Sequence, residues 1–393
     1  MAMDSAITGT VEPSFEKLKT IFRENFEKGL EKAGASFAVY HHGKLVVDLF
    51  GGYANENIGQ FWTEHSMSVL FSTTKSISAT ILAFVLDKEK IGYDEKVSKF
   101  WPEFAKNGKE DITISQVVLH QAGLPYTDKV ISRNDAADWK KMSEYFENAQ
   151  PVWAPGKMTG YHALTIGFLI DQIVRRIDPA HRGILTIFQE DFRDKYNITD
   201  LMIGLERKCQ NNRVALIRQP TEDDMKEEGE RNPIALKRYF AYNKVHHKNL
   251  YNTWPWITTE DYNDLENRLV PMPSNMGIGT ARGLAQFHTL LAEKKILSKE
   301  FYERNLQVPV LEEEMDVVNG YSESKGCGFQ FTKNPFGDWI FGHSGFGGQN
   351  VRVDTINGLS YAYITNGLKI ADADQVEPWH RLVEELYRII GTN

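Results

Sequence analysis

The sequence predicts an α+β fold, an antiparallel sheet flanked by helices and joined to a mostly helical lobe. Three observations lead there. β-rich runs lie near both ends of the chain, amphipathic helical patterns accompany them, and the long middle alternates helical runs with loops and has few strand patterns. All 393 residues are read as one unit with two lobes: a sheet lobe at about 14–70 and 291–393, and a helical lobe at about 71–290 with an irregular insertion at 206–268.

The elements follow in order. Residues 14–32 place Phe15, Leu18, Ile21, Phe22, Phe26 and Leu30 at helical spacing, with Ser14 positioned to cap. Two β-rich runs then surround His41-His42-Gly43-Lys44, a hairpin signal in which Gly43 can take the positive φ of the turn. Near the other end, "CGFQFT", "GDWIFG", "NVRVD" and "LSYAYITN" read as successive antiparallel strands, and "VEPWHRLVEELYRII" as an amphipathic helix carrying Trp379, Leu382, Val383, Leu386 and Ile390 on one side. Between them, "KSISATILAFVLDKEK", "HALTIGFLIDQIVRRI" and "ARGLAQFHTLLAEKK" are helical runs. The insertion starts polar ("TEDDMKEEGER") and turns aromatic ("YNTWPWITTEDY"); a stretch of that kind lies over a site or is a surface excursion.

Composition narrows the function. Hydrophobic residues are 41% and charged residues 25%, with 22 Phe, 16 Tyr and 8 Trp to fill a core and line a pocket. A net charge of -8 offers no basic face to a phosphate backbone, so a small-molecule partner is expected and nucleic acid is not. Cys209 and Cys327 form no metal spacing and read as buried thiols in a reducing compartment. The opening "MAMDSAITGTVEPSF" lacks a basic and apolar leader pattern, and no run approaches the ~20 apolar residues of a membrane span. A cytoplasmic location is the expectation, and the sequon at Asn197 reads as chance.

Chemistry is carried first by "LFSTTKSISATILAFVL", residues 70–86. On a helix, Ser72 and Lys75 share a face one turn apart, and a lysine whose pKa falls from about 10.4 can take a serine proton. The S-x-x-K pattern also occurs at Ser14 with Lys17 and at Ser322 with Lys325. Ser14 opens a surface helix and Ser322 lies in the polar loop "GYSESKG". Only Ser72 opens a helix apolar on several sides, where the dipole favours negative charge on an attacked carbonyl. The stretch alone leaves a second reading open, in which Ser72 is a cap and Lys75 reaches solvent.

Two later segments complete a constellation: "PGKMTGYHALTIGFL", with Tyr161 at a turn entering a helix, and "FGHSGFGG", with His343-Ser344-Gly345 between strands. With "ASFAVYHHGKLVVDLFGGYA", "FSTTKSISA", "VSKFWPEF", "ITISQVVLHQAGLP" and "GTARGLAQF", the chain resembles the serine β-lactamase-like superfamily, which includes class C-type β-lactamases, D-alanyl-D-alanine peptidases and β-lactamase-fold carboxylesterases. "GYHALTIGFL" is similar to the carboxylesterase branch.

That resemblance implies a β-lactamase/transpeptidase-like fold and a serine hydrolase working through an acyl-enzyme without metal or organic cofactor. It assigns Ser72 as nucleophile, Lys75 as its proton partner, and Tyr161 as general base and later acid. It places the backbone N–H groups of Ser72 and Phe346 as the oxyanion hole, and His343, Ser344 and Gly345 along the substrate. A tyrosine base needs its pKa of about 10 brought toward 7, a differential stabilisation of about 4 kcal/mol, with Lys75 the nearest source. Gly345 would let a carbonyl substrate approach the strand edge. Two departures qualify the pattern: Ala163 stands where the related Y-x-N would supply an amide, and His343 replaces lysine. Carboxylic esters are therefore the expected substrates. A D-amino-acid peptidase, amidase or acyltransferase stays open within the same chemistry, and a scaffold or filament that retains the fold stays open in another class; a homo-oligomer is compatible with either.

Competing motifs are weaker. Gly342-His343-Ser344-Gly345 imitates a nucleophile elbow with Asp354 or Asp372 and His380 following, but Phe346 occupies the last glycine position and strand follows instead of helix. Tyr53-Ala54-Asn55 reads as hairpin packing. His41-His42 and His246-His247 are adjacent pairs without metal-ligand spacing. His120 to Pro125 reads as a helix-ending turn that packs. Trp153, Trp254, Trp256 and Tyr251 either line an acyl pocket or fill core.

Overall fold

The two β-rich ends of the sequence meet in the middle of one sheet. A computed structural model describes residues 7–392, so the leader reading of residues 1–6 lies outside the described residues. The strands are β1 (Thr8–Val11), β2 (Gly34–His41), β3 (Lys44–Asn55), β4 (Gln60–Phe61), β5 (Ser68–Val69), β6 (Leu201–Ile203), β7 (Gly277–Gly279), β8 (Leu311–Met315), β9 (Ser322–Gly326), β10 (Phe329–Lys333), β11 (Trp339–Gly345), β12 (Gln349–Asp354) and β13 (Leu359–Thr365). The large sheet runs β1-β3-β2-β13-β12-β11-β10-β9-β8, with β4 on β3. Its pairings are antiparallel.

The β2–β3 hairpin turns at His42 and Gly43, with φ of 47° and 73°, the positive pair that matches strand twist. Pairing of β2 with β13 sets Ala38 opposite Ala362 and Phe37 opposite Tyr363. Alternation then divides β13 between two cores. Tyr361 and Tyr363 face a layer formed by α1 (Glu16–Glu27) and the helix Glu377–Ile390, where Phe22, Trp379, Leu382 and Leu386 pack. Ala362 and Ile364 face the other core, against which the helix Ala281–Ala292 lies. Both faces of the strand are buried, so it reads as a continuous β-rich run.

That inner core continues into the helical region around α2 (Thr74–Glu89), whose Ile77, Ile81, Leu82, Val85 and Leu86 are buried on several sides. A helix apolar all round belongs inside a protein. A second, three-stranded sheet, β5-β7-β6, ties the approach to α2 onto Gly277–Gly279; strands of two or three residues leave no sequence pattern to read. Among the described residues no helix is long and apolar enough to cross a membrane.

Three local expectations are corrected. Ser14 sits inside the short turn Pro13–Phe15 and makes no side-chain cap; that turn leads into α1 through Phe15. Cys209 is exposed, on a turn of the polar insertion, and only Cys327 is buried. Ser322 and Lys325 belong to β9 rather than a loop, and Lys325 is almost fully buried.

Candidate active site

The turn before α2 is clamped from several sides. Phe71 holds a positive φ of 46°, a costly conformation for a bulky residue. Its carbonyl accepts the Thr74 hydroxyl at 2.6 Å and the Thr74 N–H at 3.0 Å, while Thr74 Oγ1 accepts the Gly277 N–H at 2.8 Å. Ser72 sits in this turn, just outside the first helical residue, and Lys75 lies in the first turn of α2.

Ser72 Oγ is the meeting point. Lys75 Nζ lies 2.8 Å from it and the Tyr161 hydroxyl donates to it at 2.7 Å. Ser72 is thus held by two side chains, and the reading of Lys75 as a solvent-reaching residue fails: it is 2% exposed. Lys75 Nζ also donates to the carbonyls of Ala163 (2.7 Å) and Ser274 (3.0 Å). Ser274 is fixed in turn by its hydroxyl, which donates to Leu164 O and accepts the Gly167 N–H at 2.8 Å. No sequence motif marks Ser274; it lies in the loop "PMPSNMG".

Burial without a carboxylate partner pushes the Lys75 pKa well below the lysine range. Burial raises Tyr161 above the tyrosine range, only partly offset by its bond to Ser72. This direction runs against the expected lowering of Tyr161 toward neutrality: burial dominates and outweighs its bond to Ser72.

The end of β11 abuts the Ser72 turn. A Cβ on Gly345 would collide with the Leu70 carbonyl and lie 2.8 Å from Thr73 Oγ1. The contact with the Leu70 carbonyl by itself demands a glycine here. Among the described residues the Ser72 N–H donates to no protein group, and the Phe346 N–H opens a short turn, where helical partners are lacking. Both residues line a cavity of about 240 Å³. Its apolar walls include Phe71, Leu164, Leu250, Ile257, Tyr262 and Val318, and its polar lining includes Gln330 and Ser344. Ser344 is anchored to Gln330 by its N–H (2.8 Å) and hydroxyl (2.9 Å).

His343 departs from the expected substrate contact. It is 2% exposed, is absent from the cavity wall, and stands behind Tyr161 with ring centres 6.4 Å apart. Its Nδ1 lies 2.6 Å from Ser344 O, and burial, then the Lys75 charge, drive its pKa well below the usual imidazole value. The buried ring thus packs behind Tyr161.

A buried ion cluster braces Tyr161. Asp316 Oδ1 accepts the Tyr161, Val318 and Asn319 N–H groups at 3.0, 3.0 and 2.9 Å. Lys325 Nζ lies 2.7 Å from Asp316 Oδ2 and 3.1 Å from Glu323 Oε2. His120, read as packing only, puts its ring 5.0 Å from the Tyr161 ring and accepts the His162 N–H at 3.0 Å. Lys325→Met leaves Asp316 and Glu323 buried without their cation and is expected to lower unfolding free energy by about 3–5 kcal/mol. Urea titration checks this, and an unchanged midpoint would refute the bracing role.

The remaining motifs separate. Asp354 binds Tyr387 and Asn334 and His380 is exposed on the final helix, so no elbow triad forms around Ser344. Tyr53 stacks on Phe61 and Asn55 caps the next turn. Trp153 and Trp254 are buried, with Trp254 stacked on Phe168, whereas Tyr251 lines the cavity. So do His247, Leu250, Ile257, Thr258 and Tyr262: the insertion lies over the site. Among the described residues no group of His, Cys, Asp or Glu side chains could hold a metal ion.

Known proteins resemble this chain over nearly its whole length. A family model described as Beta-lactamase matches residues 22–385. Esterase/beta-lactamase LipL of Mycobacterium tuberculosis is 26% identical over 92% of this chain and 83% of its own. A family VIII carboxylesterase superposes with a TM-score of 0.82 at 29% identity, covering 98% of this chain and 99% of that one. A penicillin-binding protein homologue from Caulobacter crescentus gives 0.80 at 29% identity with the same coverage.

Proposed function

The chain belongs to the Beta-lactamase family, and from that premise we propose that it is a serine carboxylesterase acting through an acyl-enzyme on esters of small acyl groups. The observation that carries the reading is the contact chain Lys75–Ser72–Tyr161 at the floor of an apolar-walled cavity. A neutral amine has two N–H groups and one lone pair. With the Ala163 and Ser274 carbonyls taking the two N–H groups, the lone pair of Lys75 faces Ser72 and accepts its proton. Lys75 is thus the base, and Tyr161, kept protonated by burial, is a donor.

Ser72 Oγ attacks the ester carbonyl as its proton passes to Lys75. The oxyanion forms between the Ser72 and Phe346 N–H groups. The Tyr161 hydroxyl gives its proton to the departing alkoxide, and the proton held by Lys75 restores the phenol. Water then cleaves the acyl-enzyme with the same groups working in reverse. A cavity of about 240 Å³ falls below the size that holds drug-like ligands, which supports a small acyl group. Ala163, in place of an amide-bearing side chain, supports esters over peptides and β-lactams.

Intact-mass measurement after treatment with a fluorophosphonate tests the reading. One adduct on the Ser72 peptide, absent in Ser72→Ala, together with turnover of short-chain esters is expected. Labelling that persists in Ser72→Ala, or an unreactive wild type, would sink it.

A further inference from the structure

Residues 231–259 contain five Lys or Arg and no Asp or Glu, in a chain of net charge -8. They follow directly on the acidic run 222–230. In the fold they form the helices Pro233–Tyr239 and Lys244–Thr253 and the turn between them. This helical pair exposes large apolar side chains: Ile234 is 60% exposed, Phe240 64%, Val245 66% and Tyr251 40%. Lys237, Lys244 and Lys248 are exposed beside them and, among the described residues, meet no carboxylate, whereas Arg231 and Arg238 lie near Glu377 and Asp372.

The position matters as much as the composition. Arg238, Tyr239, Tyr242, Lys244 and Lys248 line an outer cavity that shares His247, Tyr251 and Phe346 with the chamber at Ser72. Whatever docks on this rim therefore meets the mouth of the site.

We propose that the rim docks the protein on an anionic lipid surface, so that the site receives esters of small acyl groups carried in the lipid; the second half of this statement rests on the esterase reading. Exposed apolar side chains among unpaired cations are the combination such a surface recognises, apolar groups entering the interface while lysines meet headgroup charge. A soluble anionic substrate would account for cations lining the mouth but not for Phe240 and Val245 pointing away into solvent. A two-fold contact between copies would set the same unpaired lysines against each other.

Co-sedimentation of the full chain with vesicles tests this. Binding to phosphatidylcholine vesicles containing about one third phosphatidylserine is expected to exceed binding to pure phosphatidylcholine by about tenfold or more, at about fivefold per engaged lysine, and to weaken with salt. Phe240→Ser with Val245→Ser, and separately Lys237→Glu with Lys244→Glu, are each expected to lose about tenfold. The Phe240→Ser/Val245→Ser protein should still hydrolyse a soluble short-chain ester at the wild-type rate, which also reports that it is folded. Equal binding to both vesicle types, undiminished binding by both double variants, or a dimer in light scattering that Phe240→Ser/Val245→Ser abolishes would overturn the docking proposal. Vesicle binding without ester turnover would instead overturn the esterase reading and leave the docking surface standing.

Discussion

Lys75→Met is expected to lower kcat/KM for ester substrates by about 10⁴-fold or more, the scale seen when one member of a cooperating catalytic set is removed. The methyl thioether keeps the apolar stem of the side chain but has no lone pair able to hold a proton. Lys75→Arg should not recover activity, because a guanidinium stays charged where Lys75 is buried without a counter-ion. The pH dependence carries the sign. Burial lowers the Lys75 pKa, and only the neutral amine accepts a proton. The wild-type kcat/KM should therefore rise with pH through an apparent pKa well below the lysine range, the ammonium form being inactive on the acid side. A profile without that acid limb, or one that keeps it in Lys75→Met, would refute Lys75 as the base.

Tyr161→Phe is expected to cost about 10²- to 10⁴-fold, with the loss depending on the leaving group. Alkyl esters, whose alkoxide must be protonated, should lose most, and nitrophenyl esters, whose phenolate leaves unassisted, should lose least. The acid limb set by Lys75 should survive. Comparing the two ester classes in wild type and variant separates a proton donor from a base: disappearance of the acid limb in Tyr161→Phe, or equal losses for both classes, would return the base role to the tyrosine.

The groups proposed to react were legible in the sequence because each combines a reactive type with a revealing setting. Ser72 and Lys75 open an apolar helix, and Tyr161 precedes another. What surrounds them was less so. Lys325 looks like a loop residue in "GYSESKG" because Glu323 and two serines give the segment a polar composition; pairing with Glu323 and with Asp316, which lies outside the segment, is what satisfies the charge. Ser274 acts through a carbonyl, which every residue has, so no side-chain pattern can announce it. His343 stands in a lysine position and was expected along the substrate, whereas the fold buries its shorter ring behind Tyr161. Gly345 has a reason the sequence does not announce, the nearness of the Leu70 carbonyl and Thr73 Oγ1, a contact made between segments far apart in sequence. The direction of the Tyr161 pKa depends on burial, which only the assembled fold supplies.

The contact between Gly345 and the Ser72 turn also sets an order of events during synthesis. The helix bearing Ser72 and Lys75 leaves the ribosome long before β11 and Phe346 exist, and β2 waits for β13 to pair with it. At about 5–20 residues per second, the lag between nucleophile and oxyanion donor is roughly half a minute. A nascent chain halted before β11 should carry Ser72 and yet ignore a fluorophosphonate. On the proposed mechanism, reactivity would thus wait on completion of the sheet.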